Sequence, residues 1–140
     1  MAIVYLALGS NLYDRRALIQ SALDHLQSSG IKILKTSSII ETNPVGGPAQ
    51  GKYLNAVVKV QTMLSAEELL FTTRAIEKRL GRVRLVVNGP RLIDIDILLY
   101  DDIKLVTHRL VIPHPRMMER EFVLKPLNEI DPKLCASLKK

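Results

Sequence analysis

Gly89 to Asp102 reads GPRLIDIDILLYDD, and the reading of this stretch decides the fold. Six of its residues are Ile or Leu, the composition of a buried β-strand. Yet Asp94 and Asp96 stand in its middle. Side chains in a strand alternate faces, so residues two apart point the same way, with α-carbons about 6.5–7 Å apart. The two carboxylates therefore share one face, while Ile93, Ile95, Ile97 and Leu99 take the other and anchor the strand in the core. Like charges so placed need counter-charge, which Arg91 or a pair of divalent cations can supply. The plainer alternative is an edge strand with a solvated acidic face. Oxygen-only ligands favour a hard cation such as magnesium, which keeps waters and takes substrate phosphates as further ligands.

Just upstream, Arg82, Arg84 and Arg91 flank a Gly-Pro turn. Three arginines leading into two aspartates make a phosphate-and-metal constellation, against the alternative of a solvated basic loop. Before them, Ser65 and Glu68 form a capping box that opens a helix over 65–80, with Leu69, Thr73, Ile76 and Leu80 as its apolar stripe and Gly81 closing it. Glu77 lies in the last turn, where the helix dipole disfavours a carboxylate. It either has a separate job or pairs with Arg74 or Lys78.

Earlier in the chain, Ile3–Leu8 reads as a core strand entering a turn at Gly9-Ser10-Asn11, where Gly9 permits a bend or a close ligand approach. Helical spacing covers 14–29, with Gly30 just beyond its end. Residues 31–42 read as one long strand. Residues 43–51, NPVGGPAQG, hold three glycines and two prolines and form a long loop. Residues 53–62 return as a hairpin partner. Tyr53 and Asn55 share a face at its start, where an aromatic plane beside an amide suits a flat heterocycle as well as an ordinary strand pairing. After the acidic strand come a weak strand pair over 103–112, a Pro-His-Pro punctuation around His114, a short helical segment near 116–120, and an irregular or briefly helical tail.

The order is strand, helix, strand, strand, helix, strand. It predicts an α+β, ferredoxin-like βαββαβ sandwich, an antiparallel sheet with helices on one face, in a single domain over 1–140. The chain of 140 residues is 47% hydrophobic and 24% charged, with a net charge of +6. This balance suits a globular protein with anionic partners. A single cysteine, Cys135, excludes an internal disulfide and fits a reducing compartment. No signal peptide and no membrane-length apolar run is visible, so a cytoplasmic location is expected. Both the P-loop and the dinucleotide glycine motif are absent, so a bound nucleotide must be held by arginines and metal.

GPRLIDIDILLY, together with ALGSNL at 7–12, YLNAVV at 53–58, LGRVR at 80–84 and RLVIPHPRMMEREFVLKPL at 109–127, resembles the 6-hydroxymethyl-7,8-dihydropterin pyrophosphokinase family in order and spacing. The resemblance implies transfer of pyrophosphate from ATP to the pterin hydroxymethyl oxygen, releasing AMP, in folate synthesis. It implies two magnesium ions on Asp94 and Asp96, with Arg82 and Arg91 joining those aspartates in catalysis. The pterin would lie between Tyr53 and Phe122, its polar edge read by Asn55 and by backbone around Thr42 and Val45. Glu77, Arg84, Arg91, Ile97, Arg109, Val111, His114 and Arg120 match positions around the nucleotide.

The chain departs from the family pattern at Asn43, Val87, Asn88 and Pro115. The expected partners are ATP and the pterin, with no nucleic acid, no membrane and a monomeric state. An RNA-binding module shares the βαββαβ topology. However, the chain has only two Phe and four Tyr, lacks the aromatic recognition motif, and puts aspartates where phosphate would approach. A pterin- or nucleotide-binding relative without activity is the other alternative.

Overall fold

β1 (Ala2–Ser10) feeds two cores at once. Val4, Leu6 and Leu8 pack into one apolar cluster, while Tyr5, with Ile3 and Ala7, packs into a second on the opposite face. This period-two division is what a strand covered on both sides requires. The computed structural model describes residues 1–10, 14–42, 53–81 and 93–138.

Around β1 the chain builds α1 (Arg15–Ser28), β2 (Lys32–Thr36), β3 (Ile40–Thr42), β4 (Tyr53–Thr62), α2 (Ala66–Leu80) and β5 (Asp94–Tyr100). The strands lie in the order β2-β4-β1-β5, with β3 also on β4, and every pairing is antiparallel. This is the ferredoxin-like α+β arrangement. A small hairpin of β6 (Leu105–Val106) and β7 (Val111–Ile112) follows, then a 3₁₀ turn at Met117–Glu119, α3 (Glu121–Ile130) and α4 (Pro132–Leu138). Among the described residues no helix is long and apolar enough to cross a membrane.

Local chemistry explains the two first helices. Asp14 caps α1 by accepting from the Ala17 N–H at 3.1 Å. Gly30 follows α1 at φ +83°, a conformation that glycine adopts without strain. The capping box of α2 is complete, Ser65 accepting from Glu68 N–H at 3.1 Å and Glu68 from Ser65 N–H at 2.9 Å.

Three expectations are corrected. The strand over 31–42 is broken into β2 and β3, because Ser37 and Ser38 turn to other partners (below). The helices do not keep to one face. Ile19, Ala22 and Leu26 of α1 and Leu69 and Ile76 of α2 line the first cluster, whereas Val123, Leu127 and Ile130 of α3 cover the second. Leu99 does not join Ile93, Ile95 and Ile97. β5 carries an extra residue where Leu6 pairs Ile97 but Tyr5 pairs Leu99, and this bulge sets Leu99 beside Leu98 in the second cluster.

The tail is more ordered than the sequence suggests, since α3 runs through Pro126. Proline has no N–H, so the Phe122 carbonyl four residues earlier lacks its helical donor. The helix starts only at Glu121, so this loss falls near its first turn. Tyr5 Oη donates to Asp131 at the α3–α4 corner, fastening the tail to the central strand.

Candidate functional site

On the second face of the sheet, α3 covers one end and leaves the other open. The floor there is a cross-strand row. Asn55 on β4 pairs with Gly9 on β1, which pairs with Asp94 on β5. In the next row of that face Ala7 pairs with both Val57 and Asp96. Gly9 leaves little room for bulk, because a β-carbon there would stand 3.1 Å from Asn55 Oδ1.

Above this floor is a cavity of about 730 Å³, lined by Thr42, Tyr53, Asn55, Asp94, Asp96, His114, Arg120 and Phe122 among others. A volume of that order suits a small-molecule substrate pair. Eight residues singled out in the sequence thus share one space although they come from β3, β4, β5, the segment leading into α3 and α3 itself. Gly9, noted for close ligand approach, lines it too. Glu77, Ile97, Arg109 and Val111 are not among the described lining residues. Val45, Arg82, Arg84 and Arg91 lie outside the described residues. Arg116, Glu119 and Glu121 also line the cavity; nothing in their local sequence set them apart, because only the seating of α3 brings them there.

Part of the lining carries two aromatic rings beside a buried amide. Asn55 is buried, and its Nδ2 donates to Thr42 Oγ1 at 2.8 Å. That bond fixes the amide so that Oδ1, not Nδ2, faces the space over Gly9. Tyr53 adds a ring, and burial together with the Asp94 charge raises its phenol pKa, so it stays neutral. Phe122 adds a second ring, over which the Arg120 guanidinium sits 5.5 Å from the centroid.

Another part of the lining carries charge. Asp94 and Asp96 are half-buried neighbours on one strand face. His114 is held by its N–H donating to the Leu98 carbonyl at 2.9 Å, and its Nδ1 accepts from Arg116 N–H at 3.3 Å. Burial lowers the His114 pKa, opposed by Asp96 and reinforced by Arg120 and Arg116. The ring is therefore neutral at pH 7, with its proton on Nε2 as a donor.

Behind β5, Glu77 takes neither of the simple alternatives alone. Its Oε1 accepts from Arg74 at 2.8 Å, and its Oε2 accepts from the Ile95 N–H, between the two aspartates, also at 2.8 Å.

Among the described residues no three His, Cys, Asp or Glu converge as a metal cluster. Asp94 and Asp96 present carboxylate oxygens to the cavity. Carboxylate oxygens are hard donors of the kind magnesium takes.

The family described as 7,8-dihydro-6-hydroxymethylpterin-pyrophosphokinase (HPPK) matches residues 5–132. The 2-amino-4-hydroxy-6-hydroxymethyldihydropteridine pyrophosphokinase of Bacillus subtilis is 48% identical over 129 residues, covering 91% of this chain and 77% of the relative. The namesake from Methylorubrum extorquens is 44% identical over 135 residues, covering 96% of this chain and 85% of the relative. Folic acid synthesis protein fol1 of Pneumocystis carinii is 49% identical over 127 residues, but there the 91% of this chain that aligns spans only 17% of the relative. Among solved structures, wild-type Plasmodium falciparum HPPK-DHPS superposes with a TM-score of 0.70 at 20% identity, over 94% of this chain and 40% of that one. At that identity the likeness speaks for the fold.

Proposed function

The chain belongs to the 7,8-dihydro-6-hydroxymethylpterin-pyrophosphokinase family, and on that premise we propose that it transfers pyrophosphate from ATP to the hydroxymethyl oxygen of 6-hydroxymethyl-7,8-dihydropterin in folate synthesis. The observation that carries this reading is one cavity with a stacking, amide-reading wall at one end and paired carboxylates at the other.

Tyr53 and Phe122 sandwich the pterin, Asn55 Oδ1 accepts from its ring N–H groups, and Thr42 and Val45 complete the polar edge. The hydroxymethyl oxygen attacks the β-phosphorus and releases its proton to water, the bond from that phosphorus to the α-phosphate oxygen breaks, and AMP leaves with that oxygen. Such transfer depends on positioning and charge neutralisation more than on covalent chemistry. Two magnesium ions, held by Asp94 and Asp96, would supply that neutralisation.

Arg82 and Arg91 act with the aspartates in catalysis. Arg84, Arg91, Arg109, Arg120 and the Nε2–H of His114 hold phosphate oxygens, while Ile97, Val111 and Glu77 support the nucleotide. We read the chain as a monomer, with 1–140 as one pterin pyrophosphokinase domain. ATP use and a lone buried cysteine support a cytoplasmic setting.

The test is to mix protein, ATP, magnesium and the pterin and measure AMP. Pterin-dependent AMP release is expected. ATP binding without AMP would replace this reading with that of an inactive relative.

A further inference from the structure

The pterin slot has two walls that come from distant parts of the chain. β4 carries Tyr53 and Asn55, and α3 carries Phe122 near its start. Stacking is sensitive to the separation of the planes, so something must set the distance between these walls. The aromatic residues cannot do so themselves, since the space between them is the slot.

The break between β2 and β3 supplies the missing link. Ser37 is buried and turned toward β4: its N–H donates to the Val57 carbonyl at 2.9 Å, and its Oγ accepts from the Val57 N–H at 2.8 Å. Val57 lies two residues beyond Asn55. Ser38 is turned the other way, toward α3. Its N–H donates to Glu129 Oε1 at 3.1 Å and Oε2 at 3.0 Å, and its Oγ donates to Oε2 at 2.8 Å.

Adjacent serines thus grip the strand of one wall and the helix of the other, across 91 residues of sequence. The next residue of α3 is held the same way, since its Ile130 carbonyl accepts from Lys35 Nζ of β2 at 3.3 Å. From Glu129 back to Phe122 is about 10 Å along α3, by the rise per residue. A shift at the brace is therefore delivered to the ring.

We propose that Glu129, through Ser38 and Ser37, is a positioning residue that sets the width of the pterin slot. Both Ser38 and Glu129 are exposed, so these bonds contribute little to global stability. What they fix is the placement of one end of a helix. The acidic wall is held by β1–β5 pairing and by the His114–Leu98 bond, and the brace meets it only indirectly, through Ala7, which pairs with both Val57 and Asp96. This inference rests on the pterin reading above, and its test separates the two.

Binding of 6-hydroxymethyl-7,8-dihydropterin is measured by calorimetry in the presence of magnesium and α,β-methylene-ATP, and binding of that analogue is measured alone. Glu129→Ala is expected to weaken the pterin about tenfold and leave the analogue within about twofold. Glu129→Gln keeps an oxygen for the Ser38 N–H and should restore the pterin to within about threefold of wild type. Unchanged pterin binding by a folded Glu129→Ala protein, or equal weakening of both ligands, overturns the brace. If Glu129→Ala does not fold, Ser38→Ala, which removes one of the bonds, should still weaken the pterin selectively, and no change there overturns the proposal. Wild-type protein that does not bind the pterin at all overturns the activity reading and this inference with it.

Discussion

Asp94 and Asp96 are chemically identical and differ in what surrounds them. The charge of Asp94 reaches Tyr53, on the wall with the amide, whereas Asp96 acts on His114, on the side with Arg116 and Arg120. Removing one charge while keeping its shape tests whether the pair acts as a unit. Asp94→Asn or Asp96→Asn is expected to lower AMP release by at least about a hundredfold, the scale on which a preorganised charge contributes in a dry site. The thermal midpoint should hold or rise, because one of two like charges is gone. Either variant turning over at a near-normal rate removes the metal assignment.

At this scale the sequence was highly readable for the aspartates, because a period of two needs only neighbouring residues. It was readable for Tyr53 and Asn55 by the same arithmetic. Arg116, Glu119 and Glu121 were not readable, since their place at the cavity depends on how α3 seats on the sheet.

Among elements, β5 carries the greatest burden as the last strand in the order β2-β4-β1-β5. An open strand edge exposes unpaired backbone groups. Here two side elements cover it: Glu77 of α2 accepts from the Ile95 N–H, and the His114 N–H donates to the Leu98 carbonyl. The Glu77 side chain is only 10% exposed, so the bond is shielded from water. Glu77→Ala leaves the Ile95 N–H without this acceptor and should cost about 1–3 kcal/mol, the penalty for a buried donor left unmade. Urea unfolding measures it; an unchanged midpoint would mean that water serves the strand edge equally well.

The sequence marked Glu77 as misplaced against its helix dipole, which is a local signal. Its local partner, Arg74, is one that the sequence offers, whereas its second, the Ile95 N–H, lies 18 residues away, beyond any periodicity. The unexpected break after β2 has the same cause. Ser37 and Ser38 look like strand residues until Val57 and Glu129 are brought beside them. α3 was hidden for a different reason: an internal proline argues against a helix, and only packing of Val123, Leu127 and Ile130 against the sheet overrides that.

Over the whole molecule, the closure that joins the beginning of the chain to its end is the Tyr5–Asp131 hydrogen bond, spanning 126 residues. Its energetics have two pH limbs. The Tyr5 hydrogen bond is the main cause holding the Asp131 pKa below the usual carboxylate range, with the Leu134 N–H and the Lys59 and Lys35 charges helping against burial. A folded pKa below the unfolded one contributes stability that is present above about pH 3.9 and is lost as pH falls through the folded value. For Tyr5, burial first, then the hydrogen bond and charge of Asp131, raise the phenol pKa. That contribution is whole below about pH 10 and declines as pH rises toward the folded value. Tyr5→Phe removes the donor and the titrating phenol together while keeping the ring in the second core cluster. Its stability should therefore fall below wild type at neutral pH, and the gap should narrow at both extremes, below about pH 4 and above about pH 10. Urea midpoints across that range measure it. A gap constant with pH would show that Tyr5 stabilises the fold through packing and that the link between the chain's two ends carries no charge-dependent part of it.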